Sequence, residues 1–223
     1  MTVPYPDFSN VTPVRPAGGV YSTVGKRALD ITMVLLCTPV VLPLLALILV
    51  FTWAQGGKPL FVQRRIGLGG REFRCWKVRT MVQDADLVLD RLVRTDAAIA
   101  HEWALNQKLT RDPRITRLGQ FLRRSSLDEL PQLWNVLNGS MSLIGPRPFT
   151  PDQRPLYAKG RPDASYYTLR PGISGLWQVS RRNAGSFAER VHFDEEYSRG
   201  MNLSFDLEIL WRTFAVVLRA TGI

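Results

Sequence analysis

The chain has 223 residues and a mass of 25.2 kDa, with 45% hydrophobic and 22% charged residues; this excludes a disordered tail, a collagen-like fibre or a linker, and leaves one or two folded domains. Lys and Arg number 29 against 19 Asp and Glu, a net charge of +10 with a pI near 10.2, so the expected partners are anionic: nucleic acid, acidic lipid or phosphorylated metabolites. The two cysteines, Cys37 and Cys75, cannot supply a disulfide framework or a four-ligand zinc site.

Residues 1–24 carry four prolines and little apolar periodicity, and read as an extended or mobile arm. Residues 31–57 follow without a single charge. That run is long enough to cross a bilayer, and too long and too far from the start to be a cleavable signal. Pro39 and Pro43 in its middle each remove a backbone donor and crowd the carbonyl four residues earlier, which predicts a kink near Pro43. Each half would rise roughly 16–18 Å as helix, about half of a hydrocarbon core of roughly 30 Å. Lys26 and Arg27 precede the segment and Lys58, Arg64, Arg65, Arg71 and Arg74 follow it. By the positive-inside rule both flanks are cytoplasmic, which fits a re-entrant helix that breaks and returns to its own side. An ordinary kinked span is the alternative, because proline is tolerated in membrane helices.

Residues 60–81 form two β-like runs parted by Gly67, Gly69 and Gly70, the pattern of a hairpin. No helix follows those glycines, so they are not a dinucleotide loop. Residues 82–109 read as an amphipathic helix, and 118–139 as two helical pieces separated at Ser125 and Ser126. A proline-rich loop (142–155), a short helix around 162–169, a glycine-rich segment (170–183), a helix near 187–198 and a C-terminal amphipathic stretch from 206 complete the chain. Residues 58–124 hold fifteen basic against seven acidic side chains; next to a membrane segment, that bias predicts attraction to anionic headgroups or a phosphate-bearing lipid.

Ser126-Leu127-Asp128-Glu129 fits the S-x-x-E capping box. Against that reading, Pro131 would forfeit the bond to the Leu127 carbonyl in a helix begun at Ser126, and Arg123 with Arg124 places two cations beside two adjacent carboxylates. A carboxylate at a helix N-terminus beside arginine is expected to stay ionised, which suits a nucleophile or a metal ligand better than a general acid.

The segments KRALD (26–30), RRIGLGGREFRCWKVRTM (64–81), the 112–148 run containing SLDELPQ and GPRP, and RPGISGLWQVSRRN (170–183) stand in this order behind one hydrophobic hairpin. Over about residues 25–223 the chain resembles the bacterial monotopic polyprenyl-phosphate phosphoglycosyl transferases, and its C-terminal text resembles the rhizobial exopolysaccharide-initiating galactosyl-phosphate transferases. The resemblance implies an α+β, mainly α-helical fold: a membrane-embedded re-entrant helix-break-helix (25–57) after the arm, then a cytoplasmic catalytic domain (58–223) with a small β-hairpin and amphipathic interfacial helices. It implies transfer of a sugar 1-phosphate, with galactose the best guess, from a UDP-sugar to undecaprenyl phosphate at the cytoplasmic face of the bacterial inner membrane, with Mg²⁺ as cofactor and UMP released. By the same resemblance Asp128 is the nucleophile that forms an aspartyl phosphosugar, and Glu129 with Asp128 holds Mg²⁺. The resemblance also makes Lys77, Arg79, Arg123 and Arg147 candidate phosphate contacts.

The chain departs from the family pattern at two places. Leu42-Pro43 stands where a Ser-Pro pair usually breaks the membrane helix, leaving Thr38 before Pro39 as the available hydroxyl, and Arg181 stands where glycine is usual. Inner-membrane lipids are expected partners and homo-oligomerisation is left open. No nucleic acid is expected, since no helix-turn-helix or RNA-binding motif occurs. A catalytically silent membrane-anchored scaffold of a polysaccharide assembly complex is the alternative function.

Overall fold

The structure, a computed structural model, describes residues 19–106, 109–157, 164–180 and 189–218. Most of the proline-bearing arm, and Arg181, lie outside the described residues. From Val20 the described chain is already helical, as a π-helical turn (Tyr21–Gly25) that runs into helix α1 (Lys26–Ala54). Among the described residues this is the one helix long and apolar enough to cross a membrane.

Helix α1 is continuous, with Pro39 and Pro43 both inside it; the expected separation into two helices is not seen. The two prolines are four residues apart, so the rungs they delete, at the Leu35 and Pro39 carbonyls, fall on one face while the rest of the ladder holds the helix together. Thr38 Oγ1 donates to the Val34 carbonyl at 2.8 Å, one position before the carbonyl that Pro39 frees. The hydroxyl therefore does not repair the missing rung.

One stripe of α1, through Asp30, Val34, Ile48 and Thr52, is buried, whereas Leu35, Leu36, Val40, Leu42 and Leu47 in the middle are exposed. Val34 packs with Cys75, Val136 and Met141, and Ile48 with Val78 and Leu122. Near its start, buried Asp30 accepts bonds from Ser142 Oγ and the Leu143 N–H, both at 3.0 Å. Near its end, Arg79 Nη2 donates to the Thr52 carbonyl at 3.0 Å. Both ends of the apolar helix are thus held by the same folded body.

Strands β1 (Leu60–Ile66) and β2 (Glu72–Val78) form the expected antiparallel hairpin, with Arg65 opposite Phe73 and Phe61 opposite Lys77. The turn glycines Gly69 and Gly70 take positive φ, the region glycine enters without a Cβ penalty. The amphipathic run after it divides into α2 (Ala85–Thr95) and α3 (Ala97–Asn106) at Asp96, whose carboxylate caps α3 by accepting from the Ala98 and Ile99 N–H groups. Helices α4 (Arg117–Arg124) and α5 (Gln132–Leu137) flank the two serines as predicted.

A second sheet lies where the sequence reads as loop. Strand β3 (Ser142–Ile144) pairs in parallel with β4 (Gly172–Ser174). A Cβ on Gly145 would sit 2.3 Å from the Arg170 carbonyl oxygen, and one on Gly172 would sit 2.2 Å from the Gly145 nitrogen, so only glycine lets these backbones meet. Residues 165–168 form a 3₁₀ turn, followed after β4 by α6 (Leu176–Ser180), α7 (Arg190–Gly200) and α8 (Leu203–Leu218). Phe149, Tyr157, Tyr166 and Tyr167 stack into an aromatic core with Ile66. Fully buried Asp206 on α8 accepts from Tyr21 and Tyr197 hydroxyls and from Lys26 Nζ at 2.8 Å, tying both ends of the described chain together. Leu203, Leu207, Trp211 and Phe214, spaced four, four and three apart, leave one apolar face of α8 exposed.

Candidate active site

The carboxylate pair is placed by three local devices. Thr116 caps α4, its Oγ1 accepting from the Gly119 N–H at 2.9 Å, and its own N–H bonds the Thr80 carbonyl at 3.0 Å. Those bonds press α4 so close to the end of β2 that a Cβ on Gly119 would lie 1.9 Å from the Thr80 oxygen. After α4, Ser126 adopts φ 58°, a left-handed conformation uncommon outside glycine, and reverses the chain into a single 3₁₀ turn (Leu127–Glu129). Pro131 then starts α5, where its missing N–H costs no helical bond. The capping box does not form: the Ser126 side chain makes no capping bond, and Glu129 reaches Lys77 instead. Third, buried Asn135 on α5 accepts from the Trp76 N–H at 3.1 Å and donates to the Arg74 carbonyl at 2.7 Å, binding α5 to the backbone of β2.

The result is a cleft lined by Arg65, Lys77, Glu129, Gln132, Arg147 and Gly172, with Asp128 beside it. Lys77 Nζ lies 2.8 Å from Glu129 Oε1 and 3.9 Å from Asp128 Oδ2, and Arg147 Nη2 lies 3.6 Å from Glu129 Oε1. Although burial opposes ionisation, Lys77, Arg147 and Arg65 together hold the Glu129 carboxyl down at about 2. Asp128 differs. Its side chain is buried, and burial pushes its carboxyl above the usual range, against the pull of Lys77 and in line with repulsion from Glu129. Arg123 stands near Asp128 as expected, but burial, the largest influence, raises the Asp128 carboxyl rather than lowering it, and Lys77 and Arg147 pair with its neighbour Glu129.

Arg123 Nε donates to Thr80 Oγ1 at 2.9 Å; burial lowers its pKa and the Asp128 charge opposes that. Lys77, Arg123 and Arg147 therefore surround the two carboxylates. Arg79 donates to the Thr52 carbonyl at the end of α1 and is not among the residues that line the cleft. Arg65 was not singled out in the sequence. Strand alternation carries the missing signal: Phe61, Gln63 and Arg65 share the hairpin face that their cross-strand partners Lys77, Cys75 and Phe73 occupy. Arg190 stacks over Trp177 with its guanidinium carbon 4.3 Å from the ring centre. Burial and the like charges of Arg147 and Arg65 lower Arg190 to about 10.

Among the described residues no three Asp, Glu, His or Cys side chains converge as a metal-binding group. Two adjacent carboxylates nevertheless fit Mg²⁺, which binds through one or two carboxylates and fills its octahedron with water and substrate phosphate. Lys77 and Arg147 already neutralise Glu129, so the donor set suits a cation that arrives with anionic substrate.

Residues 21–220 match the family model described as bacterial sugar transferase. The chain is 44% identical over 198 residues to a UDP-galactose-lipid carrier transferase of Erwinia amylovora, an alignment covering 88% of this chain and 41% of that protein. It is 41% identical over 202 residues to the undecaprenyl-phosphate galactose phosphotransferase of Salmonella typhimurium, again covering 88% of this chain and 41% of the relative. It is also 40% identical over 213 residues to the exopolysaccharide production protein ExoY of Rhizobium meliloti, covering 94% and 90%. The chain thus spans about two fifths of the longer relatives and nearly all of the shorter one.

Proposed function

The chain belongs to the bacterial sugar transferase family, and from that premise we propose that it is a phosphoglycosyl transferase moving a sugar 1-phosphate, best galactose 1-phosphate, from a UDP-sugar to undecaprenyl phosphate. UMP is released, in the first membrane step of exopolysaccharide synthesis. The observation that carries this reading is a buried carboxylate, Asp128, next to an ionised one, Glu129, which lines a cleft whose other charged side chains are cations. Substrates with a diphosphate and a phosphate are what such a cleft neutralises. The names of the galactose-transferring relatives favour galactose.

An Asp128 Oδ atom attacks the sugar-bearing phosphorus; an O–P bond forms as the P–O bond to the UMP phosphate breaks, and UMP leaves with that electron pair. A phosphate oxygen of the lipid then attacks the same phosphorus, forming the diphosphate and returning Asp128 as carboxylate. Lys77 and Arg147 hold phosphate oxygens during both displacements, and Arg123 supports the Asp128 charge. Asp128 and Glu129 would hold Mg²⁺, which when bound neutralises diphosphate charge.

The membrane reading extends the same proposal. α1 is re-entrant from the cytoplasmic face of the inner membrane, with its exposed middle in lipid and the apolar face of α8 in the interface. Support comes from the attachment of both ends of α1 to one body through Asp30 and Thr52, since a straight transmembrane span would part them. The test of the chemistry is mass spectrometry of the protein incubated with UDP-galactose alone. The expected result is stoichiometric UMP and a hexose-phosphate adduct on Asp128, absent in Asp128→Asn; an adduct elsewhere, or turnover by Asp128→Asn near the wild-type rate, refutes it.

A further inference from the structure

Arg65 is built into the cleft more firmly than a surface arginine would be. Its Nη1 donates to the Pro148 carbonyl at 2.9 Å and its Nη2 to Gln63 Oε1 at 2.6 Å. Its Nε is buried with no hydrogen-bond partner among the described residues, nor does any carboxylate there form an ion pair with it. An orphaned donor on a cation costs more than an ordinary unmade hydrogen bond. The charge balance is uneven as well. Arg65, Lys77 and Arg147 line the cleft against one lining carboxylate, Glu129, whose charge Lys77 and Arg147 already share. Burial and the like charge of Arg147 both act against the Arg65 cation.

We propose that Arg65, with Arg147, forms a phosphate-binding subsite in the part of the cleft lined by Pro148 and Gly172, next to Glu129. A guanidinium suits this place because its fork can keep the Pro148 carbonyl on one nitrogen and offer another to a phosphate oxygen, which a lysine ammonium cannot do in fixed geometry. Pro148 directly follows Arg147, so the same bond sets the height of the second cation. Two phosphates of the reaction share the required chemistry, that of the lipid acceptor and that of the nucleotide, and their identity rests on the function proposed above.

The test uses the full chain in detergent or nanodiscs, as wild type, Arg65→Gln, Arg65→Lys and Arg64→Gln. Arg64, 81% exposed and on the other face of the strand, controls for loss of net charge. Inorganic phosphate titrated against the thermal transition should stabilise the wild type and Arg64→Gln, with the apparent Kd raised about 10- to 100-fold in Arg65→Gln and by a smaller factor in Arg65→Lys. Equal responses in wild type and both Arg65 variants, or none in wild type, overturn the subsite. This arm is independent of catalysis: a wild type that binds phosphate yet releases no UMP from any UDP-sugar removes the proposed reaction and leaves the subsite standing. KM values then assign the source. A rise for undecaprenyl phosphate with an unchanged UMP burst places the acceptor at Arg65, and a rise for UDP-galactose places the nucleotide there. Arg65→Lys keeps the charge and carries the test if Arg65→Gln does not fold. Lower kcat and thermal midpoint, with both KM values and the phosphate response unchanged, would make Arg65 only a brace for Pro148.

Discussion

Removing one carboxylate charge at a time should change stability in opposite directions at Asp128 and Glu129, although the two are adjacent in sequence. The folded state holds Glu129 at about 2 against an ordinary value of 4.5. At about 1.4 kcal/mol per unit, its ionisation contributes about 3 kcal/mol at neutral pH. The folded value is depressed, so that contribution is fully present above pH 4.5 and is lost as pH falls through about 2. Glu129→Gln leaves Lys77 and Arg147 facing a neutral amide, and a residue in a domain of this size converts about 3 kcal/mol into a fall of roughly 6–12 °C in Tm. Asp128 is pushed up by burial, so its ionisation at neutral pH opposes folding, and Asp128→Asn should hold or raise Tm. The assay is intrinsic-fluorescence melting in one detergent at pH 7 and again at pH 5, where Asp128→Asn should gain less because the wild-type residue is closer to protonation. The reasoning is refuted if Glu129→Gln melts with or above the wild type, or if Asp128→Asn melts well below it.

Buried Asp194, which accepts from the Tyr157 hydroxyl at 2.6 Å, is raised to about 7 chiefly by burial. The stability contributed by its protonation is fully present below about pH 4 and lost as pH rises through about 7, so Asp194→Asn should melt above wild type at pH 8 and converge with it in acid. Gly119→Ala should cost several kcal/mol and abolish UMP release, because its Cβ would collide with the Thr80 backbone; a melting curve like that of wild type would show that α4 shifts freely. In a Cys37→Ala background, where remaining Cys75 is buried, a membrane-impermeant maleimide should label Thr23→Cys and Lys58→Cys from the same, cytoplasmic, side. Labelling from opposite sides would eliminate the re-entrant placement. UMP release should cease in excess EDTA and return with Mg²⁺, and full activity in EDTA would exclude the metal.

Features written within a few residues were legible in the chain itself. An uncharged run is apolar whatever surrounds it, so residues 31–57 announce a membrane-competent helix, and turn glycines at 67, 69 and 70 announce the hairpin of β1 and β2. The carboxylate pair and its basic neighbours could also be found, because SLDELP contradicts its own capping box at Pro131. The three-residue strands β3 and β4 could not be read, since their pairing joins Ser142 to Gly172 across thirty positions and three residues show no period. The parting of α1 into two helices was expected from local pattern, whereas the rest of its ladder runs through both prolines. The division of charge between Asp128 and Glu129 belongs to tertiary structure alone. Desolvation and Coulomb energy depend on everything within several ångströms, and β2, α5 and the loop after β3 bring Lys77 and Arg147 to Glu129 while covering Asp128. The resting places of Arg79 and Arg65 were hidden for the same reason: backbone carbonyls at Thr52 and Pro148, distant in sequence, decide where each guanidinium rests.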